Sequence, residues 1–213
     1  FTTSSRGVGS FATAIERLDH VASMGFNVIE LMPIVEFPGD RSWGYNPGFF
    51  FAVEEAYGSP EEFHRFVEAA HARGIAVVLD IVVNHLGWQT PFCDFLAQNS
   101  AGDCGSPWFY DDDERGRTDW GPRPNFADSE VRSILVENVE TWLSTFHLDG
   151  FRWDSTSNIR NVSFGEGDDL PGGQQLLRDS NELIEAHGEN MLNIAEDFHA
   201  GASATQTIAE GGY

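Results

Sequence analysis

Ile75-Ala76-Val77-Val78-Leu79-Asp80-Ile81-Val82-Val83-Asn84-His85 is an apolar run that turns polar at its end. Its unbroken apolar character predicts a parallel strand buried on both faces. An amphipathic helix precedes it. Ser59 is placed to cap that helix, Pro60 to occupy its first turn, and Glu62 to complete a capping box. Phe63, Phe66, Val67 and Ala70 form the inner face, and Gly74 ends the helix. Helix and strand therefore follow one another with almost no connecting chain.

The same unit recurs on both sides. Ile15, Leu18, Val21, Ala22 and Met24 keep helical spacing up to Gly25, ahead of a strand over 27–32 that Pro33 stops. A helix over about 128–146, with Val131, Leu135, Val139, Trp142 and Phe146 inward, leads into a strand over 147–154. A helix around 174–187 leads into a strand over 191–196, and a fifth helix is expected over 202–209. A polar stretch rich in glycine and proline, 86–126, reads as a loop insertion after the strand that carries His85.

Repeated β–α units with short αβ turns and long βα loops predict an α/β fold, either a barrel or a doubly wound sheet. A doubly wound sheet favours a glycine-rich first βα turn, which is absent here. Polar residues close three different strands at their C-terminal ends, where a barrel builds its site. Four strands are predicted and a complete barrel has eight. The expectation is a partial (β/α)8 TIM barrel, about strands 2 to 5, truncated at both ends, with 1–213 forming one partial catalytic barrel. Such a segment leaves strand edges and apolar faces exposed.

Composition narrows the partners. The 213 residues are 41% hydrophobic, and no apolar run is long enough for a membrane span. Twelve basic residues, all Arg, face 34 acidic ones, for a formal charge of −22. That surface repels phosphate backbones, so nucleic acid is excluded as a partner and neutral glycans are not. The absence of Lys excludes Schiff-base and P-loop chemistry. Cys93 and Cys104 lie in the polar loop and are read either as a local disulfide or as two unrelated thiols. They lack the neighbours of a zinc site.

The chemistry concentrates at two carboxylates. Asp154 ends Gly150-Phe151-Arg152-Trp153-Asp154, and Glu196 ends Asn193-Ile194-Ala195-Glu196. Arg152 lies two residues before Asp154, on the same side of its strand, where its charge favours an ionised aspartate. Two carboxylates on neighbouring strands suit a nucleophile and a general acid/base.

Three segments resemble the signature regions of the α-amylase superfamily, glycoside hydrolase family 13. They are Asp80-Ile81-Val82-Val83-Asn84-His85, Gly150-Phe151-Arg152-Trp153-Asp154 and Ile194-Ala195-Glu196-Asp197. Ser42-Trp43-Gly44-Tyr45-Asn46-Pro47 is similar to the tyrosine-bearing loop after the second strand of that family. The resemblance implies a retaining glycosidase or transglycosylase acting on α-1,4-glucans. Asp154 would be the nucleophile and Glu196 the acid/base. His85 would bond sugar hydroxyls, Tyr45 would stack on the sugar, and Arg152 would complete the substrate-binding set. Asp80 and Asn84 would support the site by bonding loop backbone. Trp43, Trp88, Trp108 and Trp120 are either further sugar platforms or packing residues. No metal or other cofactor is assigned, and an α-glucan polysaccharide or oligosaccharide is the expected partner.

Two departures qualify the resemblance. Many α-amylases carry Lys-His where this chain has Ser157-Asn158, and that His serves a calcium site, so calcium is not carried over. Asp154-Ser155-Thr156-Ser157-Asn158-Ile159 and Tyr57-Gly58-Ser59-Pro60 are closer to glycogen branching enzymes and their bacterial relatives. The expectation therefore leans to 1,4-α-glucan branching, which would favour a cytoplasmic location. An α-amylase-type hydrolase is the alternative, trehalose-releasing hydrolases come third, and a non-catalytic glycan-binding homologue is more remote. The family's third carboxylate, after its seventh strand, has no counterpart in these 213 residues, and the first strand is expected before Phe1. This stretch by itself is expected to be inactive.

Overall fold

The computed structural model describes residues 7–93, 104–105, 107–162, 169–198 and 206–207. Its centre is a four-stranded sheet: β1 (Val28–Leu31), β2 (Ala76–Ile81), β3 (Gly150–Trp153) and β4 (Leu192–Ala195). All neighbouring pairs are parallel, and spatial order equals chain order, β1-β2-β3-β4. A doubly wound sheet reverses its strand order part-way, whereas a barrel adds each strand beside the last. The order observed is that of a barrel segment.

Helices α1 (Phe11–Ile15), α2 (Leu18–Ser23), α3 (Pro60–His71), α4 (Asp113–Gly116), α5 (Ser129–Phe146), α6 (Thr156–Arg160) and α7 (Pro171–His187), with a single 3-10 turn over Glu55–Tyr57, complete the described elements. The single helix expected over 15–24 is broken into α1 and α2. At the break Arg17 N–H donates to the Ala14 carbonyl, a three-residue bond that tightens the chain out of α geometry. The cap of α3 forms as the sequence predicts, Ser59 and Glu62 bonding each other's backbone N–H. Asp128 caps α5 by accepting from Glu130 and Val131. Helix α7 begins earlier than expected because Pro171 occupies its first turn. The short α6, directly after Asp154, was not anticipated, and the helix expected over 202–209 lies outside the described residues.

The strands divide their side chains between two faces. Val77, Leu79 and Ile81 of β2, with Phe151 and Trp153 of β3, join the core beneath the helices. There Phe63, Phe66, Trp142 and Phe146 are buried, with ring centroids of Phe63 and Phe146 5.0 Å apart. The alternate residues face the other way, and register places Asp80 beside Arg152 and Arg152 beside Ile194 on that inner face. One glycine makes the close fit of β3 on β4 possible. Gly150 has φ 146°, and a Cβ there would overlap the Leu192 carbonyl.

The insertion is tied to the barrel segment. Leu86 N–H donates to the Pro122 carbonyl and Gly87 N–H to that of Pro47. Cys93 and Cys104 are joined by a disulfide, Cα atoms 4.6 Å apart, which decides between the two alternatives left open by the sequence. Beside β1, Phe26 and Met32 are 60% and 50% exposed. No described helix is long and apolar enough to cross a membrane.

Candidate active site

The inner face carries charge where a barrel interior is ordinarily apolar. Arg152 Nη1 donates to both oxygens of Asp80 at 2.8 Å and to Asp154 Oδ1 at 3.1 Å. Its Nη2 pairs with Glu196 Oε1. One guanidinium therefore spans all three carboxylates, and Asp154 and Glu196 lie within its reach of each other. Backbone continuity explains the placement. Asp154 N–H donates to the Ile81 carbonyl and Glu196 N–H to that of Trp153, so both acids sit one residue past the paired strands.

Each carboxylate is held by further donors. Asn84 Nδ2 donates to Asp154 Oδ2 at 2.8 Å and to the Asp154 carbonyl at 3.1 Å. Tyr45 donates its hydroxyl to Asp80 Oδ2 at 2.7 Å. Ser155 N–H donates to Glu196 Oε2 at 3.0 Å. Asp80 and Asn84, expected to brace loop backbone, mostly bond the side chains of the cluster itself.

His85 is buried beneath the cleft, with Nε2 2.9 Å from the Tyr45 carbonyl and Nδ1 2.6 Å from Asn84 Oδ1. Both neighbours are acceptor oxygens, so each contact is a hydrogen bond only when the ring nitrogen facing it carries a proton. Burial pushes the ring down to about 4, against the pull of the Tyr45 carbonyl. Both ring nitrogens already face protein atoms, so a bond from His85 to a sugar hydroxyl requires exchange of one of these contacts.

Burial likewise pushes Asp80 up to about 6, outweighing its bonds from Tyr45 and Arg152. Burial alone would lower Arg152, but the facing carboxylates of Asp80, Glu196 and Asp154 win and raise it. The two directions pull oppositely on one ion pair, and both leave it charged at neutral pH. Tyr45 is raised by burial and by the neighbouring Asp80.

Arg152, Asp154 and Glu196 line one cleft of about 510 Å³ with Trp43, Tyr45, Asn84, His85, Trp120, Ser155 and Phe198, and Asp80 lies buried behind them. That volume is in the range of small-ligand sites. Trp43 is 78% exposed, and Trp120 sits 5.8 Å from the His85 ring. The other two loop tryptophans lie elsewhere: Trp108 packs on Phe92, and Trp88 lies under Arg117. Ser155 was not singled out in sequence because its contact is made by a backbone N–H, which every residue type except proline carries. Among the described residues no group of three or more His, Cys, Asp or Glu is arranged to hold a metal ion.

The alpha-amylase catalytic-domain model matches residues 1–125. The chain belongs to the α-amylase family. A malto-oligosyltrehalose trehalohydrolase from Saccharolobus solfataricus is 39% identical over 154 residues, 71% of this chain and 25% of that protein. A 1,4-alpha-glucan branching enzyme GlgB from Fusobacterium nucleatum is 33% identical over 196 residues, 92% of this chain and 31% of that protein. The chain thus spans between a quarter and a third of the length of these α-amylase family relatives. The α-amylase of Geobacillus thermoleovorans, solved with acarbose, superposes with TM-score 0.74 at 20% identity, over 95% of this chain and 44% of that one. That likeness establishes the fold as part of an amylase-type barrel.

Proposed function

We propose that this α-amylase family chain supplies the nucleophile and the acid/base of a retaining enzyme acting on α-1,4-glucans. One observation carries the proposal: Asp154 and Glu196, from adjacent strands, meet on the same guanidinium at the wall of one cleft. Retention needs two carboxyl groups about 5–5.5 Å apart. In the first half-reaction an Asp154 oxygen bonds to C1 of the glucosyl unit as the C1–O bond breaks, and the Glu196 proton passes to the departing oxygen. In the second, water or a sugar hydroxyl bonds to C1 as the Asp154–C1 bond breaks; its proton passes to Glu196 and the electron pair of the broken bond returns to the Asp154 carboxylate. Arg152 holds one oxygen of Asp154, and Asn84 holds the other. Tyr45 and His85 shape the wall around the sugar, with the rings of Trp43 and Trp120 offering flat surfaces for further pyranoses.

Transfer, and specifically 1,4-α-glucan branching, is the favoured outcome. The branching-enzyme relative aligns over nearly the whole chain, whereas the trehalohydrolase relative aligns over 71% of it. Incubation of the full-length gene product, rather than this stretch alone, with amylose tests this. Loss of iodine colour without new reducing ends is the expected result. New reducing ends in step with colour loss mean hydrolysis, and no change in either overturns the glucan proposal.

A further inference from the structure

We infer that Ser155 is a positioning residue for Glu196, acting through a left-handed turn of its backbone; the inference rests on the acid/base role proposed above. Ser155 follows Asp154 directly and has φ 46° and ψ 58°. That conformation is disfavoured for a residue with a Cβ, and glycine or asparagine adopts it more readily. The turn has its effect at one residue. Ser155 N–H donates to Glu196 Oε2, 3.0 Å away, while Arg152 holds Oε1 from the other side. The left-handed turn brings the next N–H, of Thr156, back to the Glu196 carbonyl, so both donors grip one residue. A right-handed or extended residue at 155 would send the second N–H elsewhere and pull the two contacts apart.

The turn is locked from several directions, as strained backbone must be. Asn158 Nδ2 donates to Ser155 Oγ at 2.7 Å, and Asn158 N–H to the Ser155 carbonyl at 2.8 Å. Thr156 N–H donates to the Glu196 carbonyl at 2.9 Å, tying the same loop to β4's exit. Ser155 and Asn158 are both buried. Because Ser155 is bonded covalently to Asp154, the turn couples the two proposed reacting carboxylates. One segment of chain carries the nucleophile and, at the next residue, orients the group that must deliver a proton opposite it.

The choice of leaving group separates this role from general damage. An amylose leaving group departs with a proton from Glu196, whereas fluoride leaves α-maltosyl fluoride without one. Ser155→Val, whose β-branched side chain disfavours the left-handed turn, is expected in the full-length gene product to slow turnover of amylose by about 10²-fold. The first-turnover release of fluoride from α-maltosyl fluoride is expected to fall less than about threefold, since general-acid help is absent from that step. Ser155→Gly keeps the N–H and fits the turn, and should lose less on amylose than Ser155→Val. Asn158→Ala loosens the same turn without a β-branched side chain and should show the same split between substrates, which keeps the test open should Ser155→Val fail to fold. Equal losses on both substrates, or no loss on either, overturn the positioning role. Glu196→Gln run alongside tests the assignment beneath it. Undiminished amylose turnover in Glu196→Gln removes the acid/base role itself. Loss there with an unaffected Ser155→Val removes the positioning role alone.

Discussion

His85 shows how burial turns one side chain into a pH-dependent term of stability. Its ring is held near 4 in the fold against about 6.5 for an unperturbed histidine. The unfolded chain therefore takes up this proton first. Stability from this group is intact above about pH 6.5 and is lost as pH falls toward 4, by about 3 kcal/mol in full. Asp80 acts with the opposite sign. The folded state takes up its proton first, near pH 6, so protonation of Asp80 favours the fold as pH falls through that value. Denaturant titrations of wild type and His85→Gln at pH 7 and pH 4.5 isolate the histidine. The wild type should lose more stability across that interval than the variant, and equal losses would refute a neutral buried ring. At this scale the sequence marked Asp154, Glu196, Arg152, Tyr45 and His85 by position and type. It did not mark Ser155, because neither a φ of 46° nor a backbone donor is written in a residue name.

Among the elements, the strands were legible and the junctions were not. The run through β2 is apolar apart from Asp80 because both of its faces are covered, and that pattern has few other physical origins. The cap of α3 was legible because Ser59, Pro60 and Glu62 each act within four residues of one another. The break between α1 and α2 was missed because the apolar spacing runs on across it, while the chain shifts to a three-residue hydrogen bond at Arg17. The short α6 was missed because Ile159 is the one apolar residue among its five, so although all five are buried no apolar stripe gives a period. Gly150 is where element packing becomes a sharp prediction. With φ 146° and the Leu192 carbonyl against its α-carbon, Gly150→Ala should cost about 3 kcal/mol by forcing β3 and β4 apart. The change should appear as a lowered denaturation midpoint. A midpoint within error of wild type would show that the two strands part without strain.

Across the whole molecule, singly wound strand order places every polar strand end on one rim, so the cleft follows from topology as much as from any one residue. The surface carries a formal charge of −22, yet the proposed ligand is neutral and releases no counterions. Glucan affinity should change by less than about twofold between low and high salt, measured by calorimetry with maltoheptaose, because screening acts on charged partners. A steep salt dependence would point to a charged ligand instead. The disulfide between Cys93 and Cys104 belongs more often to oxidising compartments, which sits against the cytoplasmic expectation attached to branching. The central claim is that Asp154 attacks a glucosyl carbon, and a trapped intermediate tests it most directly. The full-length gene product incubated with 5-fluoro-α-glucosyl fluoride and digested for mass spectrometry should carry one glycosyl adduct, on Asp154, absent from Asp154→Asn. An adduct on another carboxylate, or none while the probe is consumed, would contradict it.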